Sequence, residues 1–183
     1  MFRTAKPASV RWNLTKTLVQ SAVMWTVFLW LLPQAIVWLE GHLQVGGFEF
    51  GGQTLVGAGV FVAASCGGVA SGYVLATHGA GTPLPVDATN RLVVLGPYRY
   101  VRNPMAVFGL AQGAGVGIWL GSFSVLAYVA AGIVVWDRVA RPAEERFLSQ
   151  QFGAAYANYR ADVRCWLPRW RTRRGPRAPA PGG

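Results

Sequence analysis

The chain has 183 residues, 52% of them hydrophobic and only 13% charged, with a formal net charge of +10. That length suits one domain, and the composition is too apolar for an ordinary soluble protein. The basic residues flank apolar stretches and do not interleave with exposed aromatics, which excludes a nucleic-acid-binding surface.

Residues 1–16 form a basic N-terminal segment. Thr17 to Leu39 then carries no charged side chain, a stretch long enough to cross a hydrocarbon core of ~30 Å at ~1.5 Å per residue. It reads as a retained transmembrane helix and not as a cleaved signal, because it exceeds an h-region and no small-x-small site ends it before Glu40. Thr54 to Thr77 is a second charge-free span, and the two make a unit over residues 17–80. Cys66 lies in this span and reads as a small buried residue. With Cys165 it offers no disulfide, zinc or thiol-redox spacing. His42 and His78 fall on opposite membrane sides, so no metal site is expected.

Apolar sequence resumes at Pro104. Pro104 to Phe123 and Ser124 to Val135 are separated by turn-favouring Gly121-Ser122, which predicts a tight transmembrane hairpin. The second arm reaches spanning length only by running to about Arg141, with Asp137 and Arg138 at the membrane edge. Leu148, Phe152, Tyr156, Tyr159 and Val163 then recur at steps of four or three against a polar face. They predict an amphipathic helix lying on the cytoplasmic surface or folded back over the helix ends. Residues 169–183 are rich in Arg, Pro and Gly and read as a disordered tail attracted to anionic headgroups.

The expected fold is therefore all-α and polytopic, with about four transmembrane helices, a C-terminal hairpin and a cytoplasmic amphipathic helix. Lys and Arg occur before Lys16, between Arg91 and Arg102, and from Arg138 onward. This positive-inside pattern puts both termini in the cytoplasm. Two ladders of small residues, Gly59-Ala63-Gly67-Ser71 and Gly109-Gly113-Gly117-Gly121, are expected to be buried between helices, where backbones approach most closely.

The densest polar chemistry lies at the threshold of the hairpin, in "GPYRYVRNPM" (residues 96–105). Asn103 and Pro104 suit the N-cap and first turn of a helix. In "RPAEE" (residues 141–145), Pro142 likewise reads as a helix start, with Glu144 and Glu145 complementing its dipole. The hairpin brings both ends together. Arg99, Arg102 and the N–H groups at Asn103-Pro104-Met105 should then face Arg141, Glu144 and Glu145, which makes either a polar ligand site or a surface ion-pair network.

"TPLPVDATNRLVVLGPYRYVRNPM", a hairpin and then "EERFLSQQFGAAYANYRADVRCWLP" resemble the isoprenylcysteine carboxyl methyltransferase family and, more distantly, the phospholipid methyltransferases. The resemblance covers residues 81–168. It implies S-adenosyl-L-methionine-dependent methyl transfer at the cytoplasmic membrane face, with the bilayer and a lipophilic acceptor as partners. Carried over by position, it nominates Leu92, Val93, Tyr98, Arg102, Asn103, Pro104, Met105, Glu144 and Glu145 for the cofactor. Arg141 is the candidate for orienting the acceptor and is taken as catalytic with Arg102, although a strict alignment puts Ala140 at that position. The family usually has His where this chain has Asn103 and commonly Tyr where it has Ala106.

An acceptor carboxylate would already be ionised near neutral pH and would need no base. The Arg-rich, Ala/Gly-rich composition points to a bacterial cytoplasmic membrane, and hence to an isoprenoid or lipid acceptor. Two other readings fit the same helices: an NADPH-dependent reductase of a sterol-like or enone lipid, and a catalytically silent scaffold.

Overall fold

The computed structural model describes residues 4–5, 8–82 and 87–168; the tail over 169–183 lies outside them. Among the described residues the only regular elements are helices. Three helical runs, Val10–Leu43, Gln53–His78 and Phe123–Asp162, are long and apolar enough to cross a membrane, and Pro104–Leu120 is a shorter apolar helix. The chain is an integral membrane protein.

Helix α1 (Val10–Leu43) is capped by Ser9, whose hydroxyl accepts from Trp12 N. It does not stop at Pro33. Instead residues Thr26–Leu31 widen into a π turn in which Leu32 N donates to Val27 O. Proline has no N–H and would crowd the preceding turn, and the extra residue in the turn absorbs that conflict. The carbonyl of Phe28, left without its helical donor, accepts from the Tyr128 hydroxyl at 3.3 Å. Beside this turn lies an apolar, half-open cavity of about 510 Å³, lined by residues including Trp25, Leu29, Phe61, Val116 and Trp119.

Helix α2 (Gln53–His78) packs along α3 (Pro104–Leu120) through close backbone contact. The contact follows the expected ladders only in part: Ser71 is buried and a Cβ on Gly67 would run into Phe108, but the closest backbone approaches lie at Gly57 and Gly115, outside both ladders. A Cβ on Gly57 would stand 2.6 Å from Trp119 N, and one on Gly115 would stand 2.8 Å from Phe61 N. Gly59, by contrast, has nothing within 4 Å, and Ala63 is exposed. Gly113 and Gly117 of the second ladder do pack, against Val129, Val125 and Leu126 of the next helix. Cys66, expected to be buried, faces out of the bundle. Gln112, 1% exposed, donates to Ser65 Oγ at 2.9 Å and pins α3 to α2 within the apolar region.

These contacts set an expected contrast. Gly57→Ala and Gly115→Ala should each lower the thermal midpoint in detergent, at a cost of about 1–3 kcal/mol for overpacking. Gly59→Ala should leave it unchanged or raise it, since alanine is the better helix former. Equal effects at all three positions would rule out this packing register.

The hairpin turns at Gly121, whose φ of +65° favours glycine. Ser122 caps α4 (Phe123–Val135) and also donates to Glu40 Oε1 of α1 at 2.9 Å, so one carboxylate ties the hairpin tip to the end of the first span. A second π turn, Trp136–Ala140, joins α4 to α5 (Arg141–Asp162) in one continuous run. Pro142 therefore does not start a helix, as the sequence suggested. It sits inside one, and again the turn before it is widened: Arg141 N bonds Trp136 O, and Arg141 Nε reaches Asp137 O at 3.4 Å.

Candidate active site

The run Phe123–Asp162 has 40 residues, about twice what a hydrocarbon core needs. Its first charges, Asp137 and Arg138, mark where it leaves the apolar region, so Glu144 and Glu145 lie beyond it. Gly153 breaks the helix with φ 49° and ψ −125°, a conformation tolerated by glycine. The remainder folds back over the ends of the bundle: Tyr159 donates from its hydroxyl to Tyr98 O at 2.7 Å and Arg102 N donates to Arg164 O at 3.0 Å, while just before the break Gln151 Nε2 reaches Thr89 O at 3.0 Å.

Asn103 uses both ends of its amide. Its Oδ1 accepts from Ala106 N at 3.1 Å, capping α3, and its Nδ2 donates to Glu144 Oε2 at 2.8 Å. This single side chain registers α3 against α5. Next to it Arg102 Nη2 approaches Glu145 Oε1 at 3.0 Å, and Arg160 Nη2 lies 3.5 Å from the other Glu145 oxygen. The Arg102 side chain is only 12% exposed, and its Nε and Nη1 atoms are buried with no hydrogen-bond partner among the described residues.

Burial raises the Glu144 carboxyl to about 7, and nearby Glu145 adds to the shift, while the Asn103 hydrogen bond and Arg102 pull the other way. Burial also pushes the Tyr98 phenol well up, beside Glu144, and that of Tyr156 up to about 12. Buried carboxyls with raised values beside buried cations that keep unused donors cluster at functional sites, which makes this the candidate site.

The structure brings together Arg102, Asn103, Glu144 and Glu145, with Tyr98 and Pro104 buried around them and Met105 on the first turn of α3. Val93 is buried and Leu92 partly exposed on the preceding strand of irregular chain. Arg99 is exposed on the 3₁₀ turn Gly96–Arg99. Arg141 does not join the cluster through a bond: it pairs with Asp137 at 3.2 Å, and Trp166 Nε1 donates to the same carboxylate at 2.8 Å. Tyr159 and Arg160 support the site from the folded-back segment. The helical spacing of Tyr156 and Tyr159 marked their buried face, but not the hydroxyl contact to Tyr98.

The Arg-Asn pair and the Glu-Glu pair thus meet at one end of a bundle of membrane-spanning helices. A family model described as phospholipid methyltransferase matches residues 53–155, more than half of the 183-residue chain, and the chain belongs to this family. The matched region opens on the first residue of α2, includes all of α3 and α4, and closes just past the Gly153 kink. Comparison with curated proteins gives no match.

Proposed function

We propose that the protein transfers a methyl group from S-adenosyl-L-methionine to a nucleophile on a lipophilic acceptor at the cytoplasmic face of a bacterial inner membrane. The observation that carries this reading is the buried Arg102 guanidinium with two unpartnered N–H groups, beside Glu144, in a chain of this family. Those residues fit the cofactor's amino-acid end. Arg102 offers charge-assisted donors for its carboxylate, and Glu144 offers an acceptor for its ammonium group.

When bound, the cofactor supplies an electrophilic methyl group, so the reaction needs no metal. The residues of this chain then contribute position. Asn103 keeps Glu144 oriented, Glu145, itself paired with Arg160, holds Arg102, and Leu92, Val93, Tyr98, Pro104 and Met105 provide apolar walls. Holding donor and acceptor in line is the main source of rate in such a displacement. Arg141, one helical turn before Glu145, is placed to meet the acceptor if it leaves Asp137. The distribution of basic residues supports cytoplasmic termini.

Membranes from expressing cells, incubated with S-adenosylmethionine carrying a tritiated methyl group, should place label in the organic-extractable lipids well above vector-only membranes. Arg102→Leu should remove that excess. Equal labelling from wild-type and variant membranes would refute the assignment.

A further inference from the structure

The residues before α1 do not trail away from the bundle. Ala5, only 6% exposed, donates from its N to Ala88 O at 2.9 Å, and Thr4 forms a parallel bridge with Ala88. An extended segment outside the helices keeps its place only where something ties it down. Here one tie comes from 85 residues further along, where Asn90 Nδ2 donates to Ala5 O at 2.8 Å. The same amide donates to Ala80 O at 3.1 Å, so both of its hydrogens are used, and Asn90 N donates to Gly79 O at 2.8 Å. Asn90 thus fastens three pieces of chain at one point: the segment before α1, the end of α2 and the loop that leads to α3.

The chain around this point is held against its own preferences. Ala80 has φ +52°, a left-handed conformation seldom adopted without glycine, and such strain persists where the surroundings fix it. A Cβ on Gly81 would stand 2.7 Å from Thr89 Cα, so the loop folds closely on itself. Lys16 of α1 pairs with Asp87, and Gln151 of α5 holds Thr89 O. The wall that the proposed site gives to its cofactor, Leu92 and Val93, follows directly. Among the described residues Leu92, Val93 and Val94 make no hydrogen bond. Their position is therefore inherited from the anchors on either side, Asn90 and Arg91 at Gly79 and the 3₁₀ turn that starts at Gly96.

We infer that the segment before α1 is a strap that sets the Leu92–Val93 wall of the cofactor site, with Asn90 as the positioning residue that connects them. The strap lies outside the matched region 53–155. The inference rests on the methyltransferase reading for the identity of the ligand, but the hold of the strap on the wall can be measured without any ligand.

Asn90→Ala removes both amide bonds and leaves the Lys16–Asp87 pair, the Gln151 bond and the main-chain bonds to Gly79 in place, so its thermal midpoint should stay within a few degrees of wild type. In nanodiscs it should bind S-adenosylhomocysteine about tenfold more weakly, because a looser wall must be ordered on binding. In the tritium assay its KM for S-adenosylmethionine should rise by a similar factor, while labelling at saturating cofactor stays within about twofold of wild type. Deleting residues 2–8 should act in the same direction, and the deletion combined with Asn90→Ala should lose far less than the sum of the two. Hydrogen exchange at residues 88–95 should quicken in every one of these proteins. Either variant decides the matter if the other does not fold. Unchanged affinity and KM, a loss confined to the saturated rate, losses that add in full, or unchanged exchange at 88–95 would each overturn the inference. Quickened exchange in the variants of a protein that binds no S-adenosylhomocysteine would support the strap and defeat the methyltransferase reading instead.

Discussion

Arg102→Leu is expected to lower S-adenosylhomocysteine affinity by at least about 100-fold, equivalent to ~2.7 kcal/mol. Two effects act in the same direction. The substitution removes the two buried N–H groups that have no other partner, and it strips Glu145 of its nearer cation, leaving Arg160 at 3.5 Å with a side chain 57% exposed. Uncompensated buried charge is costly, at about 3–5 kcal/mol when one partner of a buried pair is removed, so the variant should also melt earlier. Arg102→Lys separates the two. It keeps a cation near Glu145 and restores much of the stability, but a point charge cannot reproduce the planar fork. Its affinity should stay well below wild type. Isothermal titration alongside thermal unfolding reads both quantities, and a Lys variant that binds as tightly as wild type would contradict the role given to the guanidinium.

Glu144 should make cofactor binding depend on pH. With the carboxyl raised to about 7 by burial, its ionised fraction rises from about a tenth at pH 6 to about nine-tenths at pH 8. S-adenosylhomocysteine affinity should therefore climb about tenfold across that interval, and Glu144→Gln should bind weakly with no such climb. The stability effect has the opposite sign. A carboxyl whose folded value lies above its unfolded value holds a proton in the native state that the unfolded chain releases, so native stability falls as pH rises from about 4.5 to about 7 and levels off beyond. Glu144→Gln should remove that component. Asn103→Ala should move the binding transition above 7, because it deletes the hydrogen bond that favours the carboxylate, and should cost about 1 kcal/mol for the lost cap of α3. Binding that is flat in pH for the wild type would remove Glu144 from the cofactor site.

The parts of this fold that were legible in the sequence follow from local chemistry. Charge-free stretches located the spans, Gly121-Ser122 located the hairpin tip, and Asn103-Pro104 located the start of α3 because capping and proline geometry act within a few residues. The two π turns were not legible. A proline two residues after a π turn looks the same in sequence as a proline at a helix start, and only the continuity of the backbone through Pro33 and Pro142 separates them. The glycine ladders held only in part, failing at Gly59 and Ala63, for a related reason. Small residues permit close approach on any face that has them, and the bulky outward side chains of Leu55, Val62 and Val69 decide which face turns inward.

The site was half legible. Opposed Arg-Asn and Glu-Glu pairs follow from a hairpin that brings its ends together, and the structure joins Asn103 to Glu144 and Arg102 to Glu145. Arg141 was drawn toward the acceptor by its position next to the glutamates, whereas Pro142 frees the Asp137 carbonyl and Arg141 folds back to it.

The most direct test is titration of the nanodisc-embedded wild-type protein with S-adenosylhomocysteine and, in parallel, NADPH, at pH 6 and pH 8. Saturable binding of S-adenosylhomocysteine, tighter at pH 8 and absent for NADPH, is the expected result. Binding of NADPH alone, or of neither ligand by a folded sample, would contradict a methyltransferase site at Arg102 and Glu144.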